Sequence, residues 1–151
     1  MGMVYAEITL KNVKDEGKAE GGFAKPEDIR TATVTAVADT GAMNLVITEE
    51  LRQKLGLGIR EERTALIANG QRVTCKMTDA VEVRWKNRST ILPAMVIPGA
   101  QQILFGALAL EGMDLMVNPV TQEVAGIHGD EVLYYTLSSL PQRFLSLSAA
   151  S

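Results

Sequence analysis

Few residues of this chain could do chemistry. There is one histidine, His128, and one cysteine, Cys75. His128 has no HxxxH or HxxE partner to complete a metal site, so no metal is expected, and no cofactor is called for. Cys75 has no histidine beside it to take its proton, and such a thiol reads as a small apolar strand residue. The acid that stands out is Asp39, in the stretch VTAVADTGAMNLVIT, residues 34–48. Apolar residues run up to it and resume past Gly41. A carboxylate there risks partial burial, and burying an unpaired charge is costly. Either Asp39 is a turn acid with its oxygens in water, or the site needs an acid held in a dry place. In the second case the carboxyl is a candidate for general acid–base chemistry.

The elements that must position Asp39 can be read from pattern. Met3 to Leu10 alternates loosely and reads as a strand. Residues 11–30 are rich in glycine and charge and read as a loop or ragged hairpin connection. That is long for a structureless loop, so a short element is to be looked for inside it. Thr31 to Ala38 is rich in Thr and Val and reads as a strand ending at the turn Asp39–Ala42. A short apolar run, residues 44–47, follows. TEELRQKLGLG then predicts a short helix. Thr48 caps it, Glu49 and Glu50 suit its start, Leu51 and Leu55 share a face, and Gly56 stops it with Leu57 folding back.

The remainder is strand-like. TALIANGQRVTCKM is a hairpin around Asn69-Gly70. AVEVRWKNRSTILPAMVI is another, with Val81, Val83 and Trp85 on one face and Glu82, Arg84 and Lys86 on the other. QQILFGALALEGM joins a buried run to a second short helix. DLMVNPVTQEVAGI gives one or two strands with a turn at Asn118-Pro119. The tail holds a candidate strand, EVLYYTL, and a Ser-rich end. The expectation is a mostly-β domain, a closed or partly closed barrel with two short helices.

Composition sets the outer limits. The 151 residues suit one domain, with 46% hydrophobic and 22% charged residues. Aromatics are only 5%, so the core must be aliphatic. A net charge of -3 offers no field for nucleic acid. No run approaches a membrane span, and no leader pattern is visible at the start. With a lone cysteine, these absences point to a cytoplasmic protein with no membrane partner. Asn87-Arg88-Ser89 matches a glycosylation sequon but reads as a plain turn.

Asp39-Thr40-Gly41-Ala42 after an apolar strand, and Ile103-Leu104-Phe105-Gly106 before a short helix, resemble the retropepsin-like aspartic proteases. By average composition an Asp-Thr-Gly tripeptide arises by chance in about one chain in thirty of this length. The resemblance therefore rests on the whole arrangement, from about Met3 to Ile127, including YAEITLKN, the Asn-Gly hairpin and FGALALEGMDLMVNP. It implies an acid-protease barrel over residues 1–127 and a C-terminal extension over 128–151.

The family pairs two such aspartates around one water, sharing a proton because like charges that close cannot both ionise. This chain holds one Asp-Thr-Gly; Asp79, Asp114 and Asp130 lack the motif. The resemblance thus implies a homodimer cutting peptides or unfolded protein, with Asp39 as the catalytic acid of each subunit. It assigns Thr40 a hydrogen bond across the two-fold axis, Gly41 an open turn, and Ala42 a place on the cleft wall. Ala68, Asn69 and Gly70 fall where the family has its flap over the substrate. Gly106 would let the late strand pass close to the active-site turn. Retroviral members often pair an Asp after DTGA with an Arg after the late Gly. Here these positions are Met43 and Ala107, which suggests a hydrophobic contact in place of an ion pair. That departure keeps a second expectation open: a catalytically inactive dimerisation or peptide-binding module of the same fold.

Overall fold

Alternation builds the first wall of the barrel. In strand β1, Val4–Asn12, Val4, Ala6, Ile8 and Leu10 are buried while Tyr5 and Glu7 face out, as the two-residue period of a strand requires. It pairs antiparallel with β2, Thr31–Asp39, from Val4 opposite Ala38 to Lys11 opposite Thr31. The computed structural model describes residues 2–129; the candidate strand EVLYYTL lies outside them.

The remaining strands are β3 (Leu45–Ile47), β4 (Ile59–Leu66), β5 (Arg72–Trp85), β6 (Arg88–Val96), β7 (Leu104–Gly106), β8 (Leu115–Asn118) and β9 (Glu123–Gly126). Six of them close a barrel in the order β1-β2-β7-β3-β6-β5, because β1 also pairs with β5. The closing seam sets Thr9, Leu10, Lys11 and Asn12 opposite Arg84, Val83, Glu82 and Val81. The barrel is filled by aliphatic side chains, among them Ile8, Leu10, Leu45, Ile47, Val81 and Val83, with Phe105 fully enclosed. The mostly-β closed barrel expected from the sequence is what forms.

Two details differ from the sequence reading. The two hairpins are not separate: β5 runs through both as one strand, with a bulge between Met77 and Ala80. Its first half pairs with β4 to make an arm, and its second half is a stave of the barrel. There are also three α-helices among the described residues rather than two. Besides α2 (Glu49–Leu55) and α3 (Ala107–Gly112), the charged stretch of residues 11–30 contains the short element looked for in it, α1, Val13–Glu20.

α1 is held by its ends and by ion pairs, not by an apolar stripe. The Asn12 side chain accepts from the Asp15 amide as cap and donates to Leu55 O, at 2.8 Å, at the end of α2. Asp15 takes both arms of the Arg30 guanidinium, at 2.8 and 2.9 Å, fixing the helix against the entry to β2. α2 follows its sequence signals. Thr48 Oγ1 accepts from Leu51 N, Gly56 adopts φ +65°, and Leu57 N returns to Arg52 O with Leu57 buried.

Candidate active site

β2 delivers Asp39 to one end of the barrel. Ala36, Val37 and Ala38 are buried, so the strand is anchored up to the acid. Beside it runs β7, parallel, with Val37 opposite Leu104, Ala38 opposite Phe105 and Asp39 opposite Gly106. Val37 N donates to Ile103 O at 2.8 Å, which locks the register. A parallel neighbour from sixty-odd residues away is a long-range pairing that no local pattern announces.

The chain then turns sharply. Ala42 N donates to Asp39 O at 3.2 Å, and Gly41 N donates to Asp39 Oδ1 at 2.8 Å. The second bond orients the carboxylate and is the one hydrogen bond it receives among the described residues. Asp39 itself is half-buried, and Thr40 and Gly41 are exposed. The acid therefore stands on a dry strand with its head toward solvent. A Cβ on Gly41 would lie 3.1 Å from Asp39 Oδ1, so the glycine leaves room for the carboxylate itself. Its φ is not in the left-handed region, and turn geometry alone does not demand glycine there.

The turn is backed from behind. Ala107 N donates to Ala42 O at 2.8 Å, and Leu108 N to Met43 O at 3.0 Å, at the start of α3. Gly106 is buried, and its missing side chain makes this approach possible: a Cβ there would lie 2.8 Å from Ala42 O and closer still to Asn44 O. Gly106 thus packs against the back of the turn rather than facing the groove. Met43 is 68% exposed, and main-chain hydrogen bonds join its segment to the start of α3.

A groove of about 450 Å³ opens beside Asp39 and Thr40. Val37 and Leu104 line it, with Met3 and Val4 from the start of β1, Val117 from β8 and Gln122 from the β8–β9 turn. The sequence reading missed these four, since only tertiary folding brings residues so distant along the chain to Asp39.

Of the other acids singled out, Asp130 lies outside the described residues, and Asp79 and Asp114 are committed elsewhere. Asp79 accepts from Gly58 N and pairs with Lys14 Nζ, each at 3.0 Å. Asp114 pairs with His128 Nδ1 at 2.9 Å. Cys75 is buried, and burial pushes its thiol up, away from the reactive thiolate.

Ala68, Asn69 and Gly70 form the tip of the β4–β5 arm. Gly70 N donates to Ile67 O, Gln71 N to Asn69 Oδ1, and Gly70 takes φ +84°. Among the described residues no hydrogen bond joins this tip to the Asp39–Ala42 turn. The candidate residues therefore form two groups: Asp39 to Ala42 with Gly106 behind them, and the arm tip on its own.

A family model described as aspartyl protease matches residues 26–127, about two thirds of the chain. No curated protein matches it. The matched stretch contains the Asp39 turn, the arm and β7, and it begins after α1.

Proposed function

The chain belongs to the aspartyl protease family, and on that premise we propose that it is an aspartic endopeptidase active as a homodimer. The observation that carries this is the Asp39 turn. One carboxylate, oriented by the Gly41 amide, stands at the solvent end of a buried strand beside a groove. A single acid cannot be both general base and general acid to the same water. The chain offers no second Asp-Thr-Gly, and Asp79 and Asp114 are engaged by other partners. The second carboxylate then comes from a second copy across an isologous interface.

In that dimer the two Asp39 side chains share one proton, because adjacent like charges resist double ionisation. The ionised one takes a proton from water as the water attacks the peptide carbonyl. The protonated one donates to the forming oxyanion. Thr40, exposed next to the acid, braces one turn against its mate. Ala42 lines the cleft. The arm, with Ala68, Asn69 and Gly70 at its tip, closes over an extended peptide that adds to its edge as a strand. The substrate is peptide or unfolded protein, and the site calls for no metal or cofactor.

Met43 supports a second reading. An exposed apolar residue stands where retroviral members carry a charged group, and a peptide-binding or dimerisation module without catalysis would tolerate that. One experiment separates the two. A diverse peptide mixture is incubated with wild type and Asp39→Asn from acidic to neutral pH and analysed by mass spectrometry. Cuts by wild type that vanish in the variant are expected. Identical peptide maps from two folded proteins would sink the enzyme reading and leave the binding module.

A further inference from the structure

The β4–β5 arm leaves the barrel through a break in both of its strands. β5 bulges where Thr78 and Asp79 stand between the pairs Met77–Met95 and Ala80–Pro93 with β6. At the same level β4 slips register between Ile59 and Glu61. An irregularity of this kind bends its strand and interrupts the ladder, and here the two coincide. A hollow of about 440 Å³ opens at this level, lined by Arg60 and Glu61 from β4 and by Met77, Thr78 and Ala80 from β5.

The barrel side of the break is tied down. Thr78 is fully buried, and its hydroxyl accepts from Ala94 N at 3.1 Å and donates to Asp79 O at 2.8 Å. Asp79 is also buried and exchanges two bonds with the residue before β4. Gly58 N donates to Asp79 Oδ2 at 3.0 Å, and Asp79 N donates to Gly58 O at 2.9 Å. A Cβ on Gly58 would lie 2.7 Å from Asp79 Oδ2, so the carboxylate sits where only glycine leaves room. Lys14 Nζ of α1 reaches the same oxygen at 3.0 Å. α1 lies before the family-matched stretch and is pinned by Asn12 and by the Asp15–Arg30 pair, so Lys14 bears on Asp79 from a fixed support. Beyond the break, Arg60 to Thr64 of β4 are exposed.

We propose that this break is the joint on which the arm moves, and that Asp79 is the positioning residue that fixes the arm at its root. The proposal rests on the reading that the arm closes over a peptide. An arm that pivots above a fixed point returns its tip to one place. With the Asp79 carboxylate gone, Gly58 N loses its acceptor and Lys14 its partner. β4 is then released at its root and the arm loses its aim. The Asp39 turn keeps its own hydrogen bonds, so substrate binding suffers and the chemical step does not.

The test is backbone amide exchange of the full chain, wild type against Asp79→Ala and Lys14→Met, with cleavage of a peptide measured alongside. In the wild type the Gly58 and Asp79 amides should exchange as slowly as those of β1, and the tip, residues 67–71, much faster. Fast exchange at Gly58 and Asp79 overturns the proposal, and this arm of the test needs no variant to fold. In Asp79→Ala, exchange along β4 should quicken about tenfold more than along β1 and β2. Lys14→Met leaves the Gly58 bond in place and should shift the same amides less. KM should rise in Asp79→Ala with kcat nearly constant. Equal quickening in β4 and the barrel would mean a merely structural role and overturn the proposal, as would a fall in kcat at constant KM. If the wild type cuts no peptide, the enzyme reading fails and the exchange data alone decide whether Asp79 holds the joint.

Discussion

A methyl group at position 106 would meet main chain, not a side chain that could swing aside. The carbonyls of Ala42 and Asn44 both stand in its way. Gly106→Ala should therefore push the Asp39 turn off β7 and cost about 2–3 kcal/mol, as overpacking of a tight site does. Urea unfolding would measure this, and a variant as stable as wild type would mean that the turn gives way easily. At this scale the sequence spoke clearly about identity and poorly about reason. Asp39 and its turn were legible because an acid after an apolar run is locally anomalous. The close approach behind Gly106 was expected from family likeness, and the backbone clash gives its cause. Gly41 was expected to keep the turn open, and what it spares is the carboxylate beside it. Met3 and Gln122 could not be connected with Asp39 at all, because nothing local records that they share its groove.

Elements with a strong period were legible and elements held by their ends were not. β1 shows its buried face residue by residue, and α2 carries cap, charge bias and stop signal in order. α1 has none of that stripe: its buried residue is Asp15. The Asp15–Arg30 pair does for α1 what apolar burial does for α2. Arg30 beside it, through its side-chain hydrogen bonds first, holds the Asp15 carboxyl down from 3.8 to about 2. The sign follows from that depression. The pair's contribution is complete above the ordinary value of 3.8 and is lost as pH falls through about 2. Asp15 is only 8% exposed but Arg30 is 49% exposed, so solvent screening limits the contribution to about 1–2 kcal/mol. Asp15→Asn should lower stability at pH 6 by that amount and by little at pH 2. Equal losses at both values would show that the effect is packing rather than charge.

For the molecule as a whole, the proposed chemistry belongs to a pair of chains. Specific activity should then fall on dilution, and sedimentation should show the dimer dissociating over the same concentration range. Activity proportional to concentration, with only monomer in the centrifuge, would rule out the shared site. The barrel's closure was legible as a class of fold. Its strand order was not, because the β2–β7 and β1–β5 pairings join segments far apart in the chain.

Among the described residues, one edge of the sheet stays open: β4 pairs only with β5, and nearly all its residues are exposed. Unpaired backbone along an exposed strand is a template for aggregation, since any stray strand can join it. Arg60, Glu61, Glu62 and Arg63 occupy its middle, four charges in a row on the free strand. They bring both signs, so an incoming copy of the same strand meets like charge in some registers and carries buried charge in all of them. Solubility is thus guarded by side chains while the main chain stays open to pairing.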